Sequence, residues 1–171
     1  MAVASEWFER CYTRLFHQAP SVRLTPASVR FPSAAGQTVR SPTQVMTERM
    51  ATPLEAVLLL SSMGKAMTQQ LGVRTVLLVL NQAAESAQAF ILAWTLVGSA
   101  RWQALDLQRA ATLSFADNVQ QTSEVVNAWM RGQPNVTLAL ETRGVFLQPH
   151  SSQVALDFAQ AAQTFSIRGL P

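Results

Sequence analysis

One cysteine, Cys11, and two distant histidines, His17 and His150, are all the soft metal-binding chemistry in this sequence. A disulfide within the chain is therefore excluded, as is a cysteine-based metal site. There is no HExxH, GxGxxG, P-loop or GxSxG pattern. Charge is also scarce. Charged residues make up 13% of the chain, against about a quarter in an ordinary soluble domain. A surface short of charge is often one that meets other protein; a helical domain clothed in Gln, Ser and Thr is the alternative. The most apolar stretch, 86–100, is uncharged but only 15 residues long. A membrane-spanning helix wants about 20 residues, so this run is expected to be a buried core helix and no membrane partner is expected. Glu6, Glu9 and Arg10 interrupt the region where a secretory leader needs apolar residues, so none is expected.

What remains is a chain of 171 residues, 49% hydrophobic, with a formal net charge of +3 and a pI near 10.0. That length suits one domain, taken as 1–171, with a sizeable core. The cations are twelve Arg and Lys65. Arg presents a planar fork suited to phosphate. Between Arg10 and Thr47 there are five Arg (10, 14, 23, 30 and 40) and no acid. Between Ala56 and Ala84 only Lys65 and Arg74 carry charge. Polyanion binding would use such stretches.

Periodicity predicts a mostly helical chain. Trp7, Phe8, Cys11 and Leu15 form an amphipathic stripe over 5–17, with Ser5 as N-cap. Pro20, Pro26, Pro32 and Pro42 keep 18–42 extended. Two units, Ser21-Val22-Arg23-Leu24 and Ser28-Val29-Arg30-Phe31, echo each other within it. Ser41-Pro42-Thr43-Gln44 and Thr52-Pro53-Leu54-Glu55 are two capping boxes with proline at the first helical position. A helix then runs from Pro53 along Val57, Leu60, Met63, Met67 and Leu71 to a C-cap at Gly72. A long helix is expected over about 73–99, on Val73, Val76, Leu80, Ala87, Ile91 and Trp94. Another is expected over about 103–131, on Phe115, Val119, Thr122, Val126 and Trp129. Val136, Leu138 and Leu140 alternate as a strand, and the chain after Gly144 is expected to pair back onto it. A short helix over about 152–165 closes the chain. The expected fold is mainly α: an antiparallel four-helix bundle with a small extended or β layer at one end.

Catalytic pairings do not assemble on this scheme. Cys11 and His17 fall on different faces of the first helix. Asp106 and Asp117, on the 103–131 helix, stand roughly 16 Å apart. No enzyme activity, cofactor, metal or small-molecule substrate is expected. Trp102, beside Arg101, could stack a nucleobase or pack in the core. Arg101 and Arg109 share a face of the helical scheme. Arg74 falls at the opposite end of the bundle from Arg101.

The order of short motifs resembles the coat proteins of rod-shaped plant RNA viruses of the tobacco mosaic virus type. The matching residues are Arg14-Leu15-Phe16, then Val29-Arg30-Phe31-Pro32, Pro53-Leu54 and Asn81-Gln82. Leu105-Asp106, Arg109, Arg131-Gly132, Glu141 and Gly144 follow in the same order. About twenty residues around 83–102 have no counterpart in the family. The resemblance implies a helical wedge that stacks with copies of itself into a rod and packages single-stranded RNA. It implies a virion location, with assembly in the host cytoplasm. Arg74, Arg101, Arg109, Lys65 and Arg14 are the expected RNA-binding residues. The competing expectation is a non-enzymatic bacterial helical adaptor or chaperone that self-associates without nucleic acid.

Overall fold

The computed structural model describes residues 2–25, 37–81, 88–96, 98–130, 136–141, 147–148 and 167–169. Helix α1 spans Ala2–Tyr12 and widens into a π-helical turn over Thr13–His17. Strand β1 (Arg23–Leu24) lies parallel to β3 (Met50–Ala51), and β2 (Gln37–Val39) lies parallel to β9 (Ile167–Gly169). Helix α2 is Pro42–Glu48 and α3 is Pro53–Leu71. Strands β4 (Val73–Asn81), β5 (Gln88–Leu96) and β6 (Gln103–Asp106) follow. A 3-10 turn at Leu107–Arg109 leads to α4 (Phe115–Met130). Strands β7 (Val136–Glu141) and β8 (Leu147–Gln148) complete one antiparallel five-stranded sheet, ordered β6-β5-β4-β7-β8.

This architecture overturns the four-helix bundle. The stretch expected as one helix over 73–99 is the hairpin β4–β5, paired from Val73 with Leu96 to Asn81 with Gln88. The stretch expected as a helix over 103–131 divides into β6, the 3-10 turn and α4. The physical reason is burial on two faces. Val73 and Leu77 pack with Leu92, Trp94 and Leu105 against Phe8, Tyr12, Leu54, Val57 and Leu60 of α1 and α3. Val76 and Leu78 pack on the other face with Ile91, Ala93 and Ala104 against Val126 of α4. A strand covered on both sides is apolar throughout, so helical spacings appear in it by default. Each leucine shielded this way contributes roughly 2 kcal/mol.

The two capping boxes and the glycine C-cap hold, but Ser5, expected as an N-cap, lies inside α1 and its hydroxyl meets Gln103 instead. Ser41 accepts the Gln44 N–H at 3.2 Å, and the Gln44 side chain takes the Ser41 N–H at 2.8 Å. Thr52 and Glu55 repeat the exchange at 3.3 and 2.8 Å. Gly72 ends α3 at φ 63°, in the left-handed region that glycine occupies without strain. Strand β7 falls where alternation places it, and β8 pairs back on it antiparallel. Residues 26–36 of the extended segment, including Val29–Pro32, and the helix expected over 152–165 lie outside the described residues.

The outer margin of β6 is sealed by α4. Asn127 Oδ1 accepts the Trp102 N–H at 3.2 Å while its Nδ2 donates to the Trp102 carbonyl at 2.9 Å. Ser123 Oγ accepts the Ala104 N–H at 3.0 Å. Asn118 does the same for Asp106. Side chains five and four residues apart on the helix meet alternate residues, 106, 104 and 102, and take the place of a neighbouring strand.

Candidate nucleic-acid interface

The five expected RNA-binding residues fall on different elements. Lys65 is in α3 and Arg74 is in β4. Arg74 pairs with Thr95 across the β4–β5 hairpin. The Thr95 hydroxyl donates to the Arg101 carbonyl at 2.6 Å. Positions 74 and 101 therefore lie at the same end of the sheet, on either side of β5. This corrects the sequence expectation, in which a helix held them at opposite ends. Arg101 is exposed, in the turn that follows Gly98 at φ 85°.

Arg109 closes the 3-10 turn beyond the far end of β6 from Arg101. Its guanidinium is exposed and donates to Gln121 Oε1 at 2.7 Å. The two arginines are thus not on one helix face, because β6 runs between them. Arg14 is exposed in the π-helical turn, where its Nη1 reaches the Ala19 carbonyl at 3.5 Å.

Arg40 leaves the polyanion set altogether. Its Nη2 meets Glu55 Oε2 at 2.7 Å and its Nη1 meets Glu48 Oε2 at 2.8 Å. Its main-chain N–H donates to Glu55 Oε1 at 2.7 Å. The side chains of Arg40 and Glu55 are only 14% and 5% exposed. Burial alone would raise the Glu55 pKa, but hydrogen bonds from Arg40 and Thr52 outweigh it and hold the carboxyl below the usual range. The same bonds keep Arg40 charged more firmly than usual. Glu55 therefore caps α3 and anchors the chain entering α2.

The remaining described arginines differ. Arg10, Arg14, Arg23, Arg101 and Arg109 are exposed, and Arg49 is half-buried. Among the described residues, the ion pairs are those of Arg40 with Glu48 and Glu55. Six guanidinium groups thus stand without a bound carboxylate. Such groups are weakly hydrated, planar donors, suited to phosphate oxygens.

Other titratable groups serve packing. Burial pushes the Cys11 thiol up to about 11, so it is protonated at neutral pH. The His17 ring lies 5.3 Å from that of Tyr12. Burial raises the pKa of Asp106, whose Oδ1 accepts the Gln108 N–H at 2.9 Å and caps the 3-10 turn. Asp117 belongs instead to the N-terminus of α4, where its carboxylate meets the Ser114 hydroxyl at 2.6 Å. Trp102 packs against the core between the sheet and α4. Among the described residues no cluster of His, Cys, Asp and Glu has the spacing to hold a metal ion. No described helix is long and apolar enough to cross a membrane.

Arg23 and Arg49 were not among the expected RNA-binding residues. Arg23 had a signal in the repeated Ser-Val-Arg unit. Arg49 had none, because nothing in its neighbours indicates a left-handed residue. Compared with protein-family models, curated proteins and solved structures, the chain matches none.

Proposed function

We propose that this chain is a non-enzymatic structural subunit that self-associates and packages single-stranded RNA, a coat-type role. The observation that carries it is the set of exposed arginines, Arg10, Arg14, Arg23, Arg101 and Arg109, without ion pairs among the described residues. Exposed guanidinium groups with no carboxylate bound to them are suited to take phosphate oxygens. The order of motifs shared with rod-virus coat proteins supports the same reading. The helical wedge which that resemblance implied is not the fold of this chain, so rod geometry forms no part of the proposal.

The scarcity of charge favours a second reading, an adaptor or chaperone that binds copies of itself without nucleic acid. Salt separates the two. RNA held by arginine–phosphate contacts releases counterions, so affinity for a uniform 20-nucleotide RNA falls steeply between 50 and 200 mM salt. The measurement is fluorescence anisotropy, with sedimentation to follow assembly. Assembly that persists while no RNA is retained even at 50 mM salt would establish the adaptor and end the coat reading.

A further inference from the structure

The first arginine-rich segment closes on itself in a way the sequence did not announce. Leu15, the neighbour of Arg14, accepts the Val22 N–H through its carbonyl at 2.6 Å. The next residue, Arg23, donates its own N–H to the Arg49 carbonyl at 2.9 Å, as β1 lines up beside β3. Residues 23 and 49–50 therefore stand about 5 Å apart, the ordinary strand spacing. Two main-chain links thus join the neighbourhoods of Arg14, Arg23 and Arg49, from three separate parts of the chain. Arg14 and Arg23 are exposed and Arg49 is half-buried. Glu48, the acid nearest Arg49 in sequence, is held by Arg40. Among the described residues none of Arg14, Arg23 and Arg49 is in an ion pair.

Arg49 adds a second, independent observation. It is the C-cap of α2, with φ 55° and ψ 35°, and its N–H donates to the Val45 carbonyl at 2.9 Å. It is the one non-glycine residue with positive φ among those described. Glycine or asparagine takes that conformation at a helix end with less strain. An arginine kept there at the expense of stability points to a use for its side chain.

We propose that Arg14, Arg23 and Arg49 form one binding site for the phosphodiester backbone of single-stranded RNA. The proposal rests on the RNA-binding reading and deepens it by naming where the strand is gripped. Phe16 and Tyr12 beside the cluster are buried, so those two rings do not stack bases, and the site acts through charge. It reads charge and backbone spacing rather than sequence.

The test compares wild type, the single variant Arg49→Gly, and the triple variant Arg14→Ala, Arg23→Ala, Arg49→Gly. Each is titrated with a labelled uniform 20-nucleotide RNA at several salt concentrations, and each is melted. Losing three phosphate contacts from a single strand lowers the slope of log affinity against log salt by about 2. Arg49→Gly is expected to melt at a temperature equal to or above that of wild type while binding RNA several-fold more weakly. That combination separates a binding role from a structural one. A triple variant that folds and keeps the wild-type slope overturns the site while leaving the RNA reading intact. A wild type that binds no RNA overturns both. Poly-glutamate bound as tightly as RNA, with the same loss in the triple variant, overturns the assignment to a nucleic acid.

Discussion

Asn118 holds both main-chain polar groups of Asp106. Its Oδ1 accepts the N–H at 2.9 Å, and its Nδ2 donates to the carbonyl at 3.0 Å. The same Nδ2 donates to the Tyr12 hydroxyl at 3.2 Å, and the same Oδ1 accepts from Thr122 at 3.0 Å. Tyr12 in turn donates to the Leu113 carbonyl at 2.9 Å. One fully buried amide thus uses its whole hydrogen-bonding capacity to join α1, α4 and the edge of the sheet.

Replacing that amide leaves buried main-chain groups unsatisfied, each at a cost of about 1–3 kcal/mol. Asn118→Ala is expected to lower stability by about 3 kcal/mol in urea unfolding. Asn127→Ala, at a half-buried position, is expected to cost about 1 kcal/mol. Equal losses at the two positions would contradict the central place of Asn118.

Glu55 sets an acid limit on the fold. Its folded-state pKa is lowered by Arg40. Its contribution is therefore fully present above the unfolded carboxyl value, about 4.3. It is lost as pH falls through the lower, folded value. Glu55→Gln should destabilise the protein at pH 7 by about 2–3 kcal/mol, the cost of stripping a largely buried pair of one partner. The gap between variant and wild type should close in acid. A constant gap across pH 2–7 in thermal melts would show that the carboxylate charge is not what matters.

Asp106 has the opposite sign. Burial raises its folded pKa, so its ionised form weakens the fold at neutral pH. That penalty disappears as pH drops through the folded value toward the unfolded one, about 3.9. Asp106→Asn keeps an acceptor for the Gln108 N–H and removes the charge. It should raise the urea midpoint at pH 7 and leave it unchanged near pH 3. A lower midpoint at pH 7 would mean that Asp106 has a stabilising cation partner.

Gly72 gives a backbone test. A Cβ added there meets nothing within 4 Å, but φ is 63°. Gly72→Ala should therefore cost about 1 kcal/mol through strain alone, with Gly72→Asn costing less. Equal stability of all three proteins would place the end of α3 in a different conformation.

Much of the local structure was legible because it depends on chemistry within a few residues. Ser41, Thr52, Gly72 and the alternation through Val136, Leu138 and Leu140 each name their own element. The hairpin β4–β5 was not legible by period, because a continuous apolar run satisfies any period. The β-branched residues Val73, Thr75, Val76 and Val79 were the better guide. The start of α4 was written in Ser114-Phe115-Ala116-Asp117, with Ser114 as the N-cap. The Asp117 N–H sits on Ser114 Oγ at 3.1 Å. Reading it would have cut the expected 103–131 helix at residue 114. The placing of positions 74 and 101 at one end of the sheet depended on long-range pairing, and so did the closure of Arg23 on Arg49. Pairings between distant strands leave no trace in spacing.

The hemmed border of β6 restricts how copies can join. With Asn118, Ser123 and Asn127 already holding its outward N–H groups, that strand has no such donor left to offer a newcomer. Among the described residues, the other margin of the five-stranded sheet is β8. A polymer that grows past the β6 side must be laid face against face, with side chains as the mortar.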